Sequence, residues 1–532
     1  METMSSSASH VVFVPLALRS HFRIMLQLSL NLLSLHPTLL ATLLVTRYMV
    51  HMMDEEVALQ SDTLSGALAS RFDIHVIEDD LPAGSTVFAE KLAFKARCEK
   101  SISVLLTGEG TKYLPARAFI SDMHRTTLRK QVHSVCERLG QRHVPVLHLM
   151  PSMALTMHRF VASAADGGWC EGITERMAAH KADGMSDNEA AFEAYRNVQN
   201  RLLEWTDLPP MYDYEYSKFA DISFSPSRAD GKDSPNPGPM ADTRVITPGS
   251  VVVQKLVFTV SRHTDGIICN GVPEIDGASL RRIEQMLTVP CYGVNDEVWS
   301  AAQETTSHGP ADQDVMTFLD EAFEKYGPDS LGTIFWPVLR PEIVETILDS
   351  LLELERPMLF VFATAGKDAR VSDEIRAKVR DSGKGMIVDW VPQMKVLQHE
   401  ATGVFLTHCG WGSLMEAIIA GVPIITLPFA MDQPALSAYF TQIQPVGIQL
   451  QHMSSLNDGL PLGSGTVVDS SRDSMLAELK DAWERMRGSE GAAYRVRMGA
   501  VLEIMRQSWE NGGSRQAMEE LGRMLLATGA VL

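Results

Sequence analysis

The sequence predicts an α/β protein of two lobes, each built around a parallel sheet. Three observations carry that prediction. Short apolar runs with β-branched residues alternate with stretches of helical period early in the chain. The same alternation resumes at about residue 335 and runs to about residue 450. Between them lie a Pro-, Gly-, Ser- and Asp-rich stretch at 229–249 and a segment of poor pattern at 290–332 that reads as a linker. Strands that alternate with helices call for a parallel sheet covered on both faces. The 532 residues leave room for two cores, since a domain takes about 100–200 residues.

The elements follow in order. Residues 10–14 are a short apolar run and read as a strand, 15–20 as a loop, and 22–35 have the apolar spacing of a helix. Residues 39–45 give a second strand. A strand at 118–120 ends at Ser121-Asp122, a helix follows at 127–139, and 144–149 is the next strand. The pattern returns to a strand at 265–270, with a helix near 315–326. In the second block the strands are 358–362, 386–388, 404–406 and 424–427, and helices at 471–487 and 513–527 close the chain.

Composition narrows the function. Hydrophobic residues make up 45% and charged residues 21%, as in ordinary globular proteins. The net charge of −19 argues against general nucleic-acid binding, which needs a basic surface. It leaves a nucleotide ligand open, because backbone N–H groups at a helix start can hold a diphosphate. The six cysteines form no C-x-x-C pair and fit a reducing compartment. The apolar stretch 24–50 is interrupted by Gln27, Asn31, His36, Pro37 and Arg47, so it does not read as a membrane span. The first nine residues lack a basic region before an apolar core and do not read as a signal peptide. A cytoplasmic monomer is expected.

Residues 390–433 carry the chemistry: WVPQMKVLQHEATGVFLTHCGWGSLMEAIIAGVPIITLPFAMDQ. Ligands of open parallel sheets bind at the carboxyl ends of strands. The strand at 404–406 is followed by Thr407-His408-Cys409-Gly410-Trp411-Gly412-Ser413 and then a helical run at 414–420. Gly410 and Gly412 let backbone approach a ligand closely. Ser413 sits where an N-cap would sit, and the helix start offers N–H groups to an anion. His408 adds a donor. No G-x-x-x-x-G-K-[ST] is present, so this is not a Walker loop. Glu416, three residues after Ser413, could close a capping box or accept hydrogen bonds from two ribose hydroxyls.

This segment resembles the signature box of the family 1 UDP-dependent glycosyltransferases over 44 residues without a gap. The resemblance implies the GT-B fold, two facing Rossmann-like lobes with parallel sheets. It implies that Trp390 stacks on uracil, Gln393 lies near the uridine, His408 and Ser413 bind the diphosphate, and Glu416 holds the ribose. Asp432 and Gln433 would bind the sugar hydroxyls, with the Trp411 backbone nearby. Gln433 points to glucose. UDP-sugar is then a substrate, and no cofactor or metal is implied. The family usually carries Asn where this chain has Gly412, which removes one side-chain phosphate contact.

Inverting transfer to a hydroxyl needs a base, and histidine suits the task. His21 follows the first strand and Asp122 ends a later one, so both would face one crevice of a parallel sheet. The stretch from His10, VVFVPLALRSHFRIMLQLS, resembles the family's catalytic-histidine loop, and Phe119-Ile120-Ser121-Asp122 resembles the strand ending in its partner aspartate. The resemblance implies His21 as base and Asp122 as its orienting partner. His124 is a rival partner, two residues further on and expected to face away.

Weaker likenesses complete the frame: 265–270 before the linker, Pro151-Ser152-Met153-Ala154 at an acceptor cleft, and 512–525 as a terminal helix returning to the first lobe. The expected layout is an acceptor lobe at 1–295, a linker at 296–330, a UDP-sugar lobe at 331–505 and the returning helix at 506–532. One place breaks the pattern. The donor lobe of this family opens with a buried strand and a Phe-Gly-Ser/Thr loop, yet 329–337 here reads DSLGTIFWP with no apolar run before it. Either 334–336 supplies a truncated strand or the chain lacks that strand. The leading expectation is glycosyl transfer to a small lipophilic hydroxyl compound. The alternative is a UDP-sugar-binding pseudoenzyme. An epimerase or hydrolase would need carboxylates beyond Asp432 near the sugar, and the sequence shows none.

Overall fold

Residues Ser9–Val14 form β1, and all six are buried. A strand with both faces covered belongs at the centre of a parallel sheet, and in the computed structural model β1 pairs in parallel on both sides. The structure describes residues 8–527 apart from 61–62, 65, 67, 83–84, 217–247, 296–309, 336–340, 355–358, 364–370, 390 and 429–430. The chain divides into two compact units. The first comprises 1–171, 252–296 and 505–532, and the second comprises 172–251 and 297–504.

The strands of the first part of the chain are β2 (Leu39–Thr46), β3 (Phe72–Ile77), β4 (Ala116–Asp122), β5 (Val146–Met150), the short antiparallel pair β6 (Leu202–Leu203) and β7 (Met211–Tyr212), β8 (Ile267–Cys269) and β9 (Cys291–Gly293). The sheet of the first unit is parallel and ordered β3-β2-β1-β4-β5-β8-β9. Its order reverses between β1 and β4, which makes the carboxyl ends of those two strands the switch point where such sheets bind ligands. Val12, Val14, Leu44, Phe94, Phe119 and Val132 form part of its core. The terminal helix Gly513–Ala527 belongs to this unit, where Ser9 Oγ donates to the Leu525 carbonyl at 2.9 Å.

The second unit holds β10 (Leu331–Phe335), β11 (Leu359–Ala363), β12 (Gly385–Val388), β13 (Thr402–Thr407), β14 (Ile424–Thr426) and β15 (Gly447–Gln449). These form a parallel sheet ordered β12-β11-β10-β13-β14-β15, with its switch point between β10 and β13. Ile334, Phe360, Phe362, Leu406 and Trp483 are in its core, and the Trp483 indole donates to Ser350 Oγ at 2.9 Å.

The strand in doubt is therefore present, as β10, and it is central. It pairs with β11 and β13, and Leu331, Gly332, Thr333 and Ile334 are buried. It begins earlier than a truncated strand at 334–336 would, because Leu331-Gly332-Thr333 is part of the strand. Its missing apolar lead-in is replaced by a pinned start. The Leu331 N–H donates to the Ala401 carbonyl at 2.8 Å, and the Asp329 N–H to the Glu400 carbonyl at 3.0 Å. A side chain at Gly403 would meet the Asp329 carbonyl at 2.4 Å, so only glycine fits there. From the helix Ser489–Glu510, Arg495 pairs with Asp329 and donates to the carbonyls of Gly421 at 3.0 Å and Gly403 at 3.1 Å.

Among the elements that the sequence pattern does not show, two have a plain physical reason. The strand β3 lies at a sheet edge with only its end residues buried, and the helix Val87–Thr107 spreads charged and small residues around its circumference. Residues 172–216, read from sequence as part of the first lobe, cluster with the second unit. There Tyr214 donates to the Pro461 carbonyl, and Tyr214, Leu462 and Val468 pack together. All six cysteines are free thiols, and Cys291 alone among them is partly exposed. Among the described residues no helix is long and apolar enough to cross a membrane.

Candidate functional site

In the first unit the site forms at the switch point. The chain leaves β1 at Val14, crosses residues 15–18 and enters the helix Arg19–Leu35, so His21 stands in that helix's first turn and not in the loop before it. Asp122 ends β4 and is fully buried. His21 Nδ1 and Asp122 Oδ2 are 2.7 Å apart. An ionised carboxylate only accepts, so Nδ1 carries the hydrogen; in the neutral imidazole Nε2 then keeps its lone pair.

His124 does not face away. The backbone turns at the end of β4, with the Arg125 N–H donating to the Asp122 carbonyl at 2.9 Å. The His124 backbone N–H then reaches Asp122 Oδ1 at 2.8 Å, and its ring Nδ1 lies 3.1 Å from the same oxygen. The two imidazoles meet edge to face, with centroids 5.5 Å apart. Burial alone would raise the carboxyl's pKa. The charges and hydrogen bonds of His21 and His124 outweigh it and hold Asp122 well below the usual carboxylate range.

A buried ion pair that the sequence reading missed fixes this geometry. Arg125 donates to both oxygens of Glu90 at 2.8 Å, and its Nε and a terminal nitrogen donate to the Pro15 carbonyl at 3.0 and 2.9 Å. Thr46 Oγ1 donates to Glu90 at 2.8 Å, and Phe94 stacks under the guanidinium at 4.2 Å. The strand that ends in Asp122 is thereby tied to the loop that leads to His21. Glu90 and Arg125 are far apart in sequence and belong to no local motif, so only the fold reveals the pair. The loop at 151–154 is anchored too, by the Ala154 N–H donating to Asp276 at 2.5 Å.

In the second unit the predicted donor residues gather at the carboxyl ends of β13 and β14. Trp390 lies outside the described residues. His408, Gly412, Ser413, Glu416, Asp432 and Gln433 are all partly exposed, while Leu414, Met415, Ala417 and Ile418 between them are buried. The box thus has a polar rim over an apolar base. Gln393 begins the helix Gln393–Gln398 and its amide donates to Glu416 at 2.5 Å. Glu416 therefore does not close a capping box with Ser413. The helix Trp411–Ala420 starts earlier than expected, with Gly410 as N-cap and no side-chain cap, and Ser413 is its third residue. The first intrahelical bond runs from the Leu414 N–H to the Gly410 carbonyl.

The turn into that helix explains the small residues. Cys409 takes the left-handed conformation, φ +63°, which costs a non-glycine residue roughly 1 kcal/mol or more. A side chain at Gly410 would meet the His408 ring at 2.6 Å. At Gly412 a Cβ would meet nothing within 4 Å. Burial pushes the His408 imidazole down to about 4, so it is neutral at pH 7. Trp411 is buried, with its ring 6.4 Å from Phe440, so its side chain belongs to the core. Asp432 stands at the N-cap position of the helix Gln433–Ala438 without capping it through its side chain. Burial and the nearby Asp432 carboxylate raise the Cys409 thiol well above its ordinary range.

Two parallel α/β units, each with its polar cluster at a switch point, define a protein of GT-B architecture. Solved structures agree. The Medicago truncatula UGT71G1 complexed with UDP-glucose superposes with a TM-score of 0.64, covering 98% of this chain and 99% of that one at 15% identity. Glycyrrhiza uralensis UGT73P12 gives 0.67, covering 98% and 96%, also at 15% identity. Residues 330–460 match the family model described as UDP-glucoronosyl and UDP-glucosyl transferase. UDP-glycosyltransferase 76E11 of Arabidopsis thaliana is 30% identical over 270 residues, 49% of this chain and 54% of that one. UDP-glycosyltransferase eriJ of Hericium erinaceus is 29% identical over 282 residues, 50% of each chain. The matches span about half the length of these two relatives. The second unit is thus similar to UDP-dependent glycosyltransferases over residues 330–460.

Proposed function

We propose that this protein transfers glucose from UDP-glucose to a hydroxyl of a small lipophilic acceptor, with inversion and without a metal. The carrying observation is the 2.7 Å contact between His21 Nδ1 and Asp122. In this reading Nε2 of His21 takes the acceptor's proton as its oxygen attacks the anomeric carbon, and the bond to UDP breaks. Asp122 stays ionised, fixes the tautomer and stabilises the imidazolium. Negative charge develops on the departing diphosphate. In this reading the first-turn N–H groups of Trp411–Ala420, with His408 and Ser413 beside them, would receive it. Glu416 and Gln393 would hold the nucleoside, and Asp432 and Gln433 the sugar hydroxyls. Trp390 would stack on the uracil ring.

Related folds support the substrate classes. The neighbour from Medicago truncatula was solved with UDP-glucose, and Phytolacca americana UGT2 with UDP-2fluoro-glucose and pterostilbene. The presence of β10 at the sheet centre removes the main ground for a pseudoenzyme. We further propose a cytoplasmic monomer, with acceptor binding in the first unit and donor binding in the second.

The test is incubation with UDP-glucose and a panel of phenols, sterols, terpenoids and hydroxy fatty acids, read by mass spectrometry. A hexose added to at least one acceptor, lost in His21→Ala while UDP binding persists, is the expected result. Full activity of that variant would overturn the assignment of the base.

A further inference from the structure

We propose that His21, Asp122 and His124 bind one transition-metal ion of the Zn²⁺ class, and that this ion inhibits the protein. One ring nitrogen of each histidine and a carboxylate oxygen lie within 4.8 Å of one another. Two imidazoles and a carboxylate are a donor set that Zn²⁺ favours, with metal–ligand distances of about 2.0–2.2 Å and a fourth position left for water. Mg²⁺ and Ca²⁺ prefer all-oxygen shells and are poorly served here.

The cluster is prepared for an ion in two ways. Asp122 is fully buried at the end of β4, and the His124 N–H fixes its carboxylate at 2.8 Å. Such hydrogen bonds to a liganding carboxylate steady a metal site. The two histidines are reachable from solvent, with side chains 17% and 18% exposed. An ion entering from their side would insert between each ring and the carboxylate, replacing the hydrogen bonds that now join them. Each ring would bind as its other tautomer, its proton moving by way of water from Nδ1 to Nε2, so the ring stays a neutral imidazole.

The inhibitory half rests on the reading of His21 as base, and the binding half does not. A ring nitrogen committed to the ion no longer donates to Asp122, so the carboxylate cannot stabilise the imidazolium. The ion therefore competes with the dyad and takes no part in the transfer.

The experiment uses the full chain stripped with a chelator. Co²⁺ is titrated in while the visible d–d bands are followed, and Zn²⁺ is then added to displace it. Wild type should take up one equivalent that Zn²⁺ displaces and Mg²⁺ does not. His124→Gln keeps a hydrogen-bond donor for Asp122 but removes a ligand, and it should weaken that equivalent by about tenfold or more. His21→Ala should do the same. Sugar transfer by wild type should fall with added Zn²⁺ and return with EDTA. Equal affinity in wild type and both variants, or no bound equivalent in wild type, would overturn the site. Binding as expected in a chain that transfers no sugar would leave the site standing and sink the functional reading instead. Binding without any effect on an active chain would remove the inhibitory half.

Discussion

The imidazole of His21 and the carboxylate of Asp122 meet at 2.7 Å although 101 residues separate them. Parallel strands β1 and β4 lie side by side, so their carboxyl ends bring the two residues to one point. Asp122→Asn removes the charge that favours the imidazolium. We expect kcat to fall by about 10²–10⁴-fold, the usual range for losing acid–base assistance, with UDP affinity unchanged. Equal losses in UDP binding, measured by calorimetry, would show that the change disturbs more than the dyad.

Gly412 is the box's departure from its family pattern, and its surroundings are open: a Cβ there meets nothing within 4 Å. Gly412→Asn should fit without rearrangement, remove a flexible glycine from the first helical turn, and offer an amide to the diphosphate. One added hydrogen bond is worth about 1 kcal/mol, or roughly fivefold in affinity. Calorimetric titration with UDP checks it. Unchanged or weaker binding would mean that the side chain does not reach the phosphates.

Arg495 joins the starts of β10 and β13 and the end of the helix Trp411–Ala420 through Asp329, Gly403 and Gly421. Arg495→Ala leaves two carbonyls without that donor. The expected loss is about 1–3 kcal/mol in the second unit, read as a lower urea midpoint with the slope unchanged. Arg495→Lys should recover only part, because one ammonium cannot span the same three partners. A wild-type midpoint for the alanine variant would show that β10 is held by strand pairing alone.

Stability should also decline in mild acid. Burial pushes His10, His148 and His408 down to about 4. In the unfolded chain each titrates near about 6.5. Between those values the unfolded state binds more protons, so stability falls as pH drops from about 6.5 toward 4 and the loss levels off below. Asp122 adds to the loss at still lower pH, because its folded pKa lies below its unfolded one. Urea midpoints at pH 7.5, 6, 5 and 4 test this. A flat profile would contradict the burial of these rings.

Much of the site was legible because its residues lie in one continuous segment. Residues 393–433 carry polar and glycine positions at the ends of two strands and the starts of three helices. Local period and turn chemistry point to the strand–turn–helix at 404–420, while Gln393, Asp432 and Gln433 are singled out only by the family resemblance. Serine is a common N-cap and points to a helix start at Ser413, but the left-handed Cys409 and the His408 ring over Gly410 set the N-cap three residues earlier, at Gly410.

By itself the sequence determined the α/β class, the alternation of elements and the polar rim of the box, because each depends on residues within a few positions of one another. Tertiary structure decided the rest. It decided that Asp122 serves two histidines, that Arg125 and Glu90 hold the Pro15 loop, and that the unpromising run Leu331–Phe335 is a central strand. The reason is the same in each case. These contacts join residues tens to hundreds of positions apart, and only sheet order and burial bring their donors and acceptors within hydrogen-bonding distance.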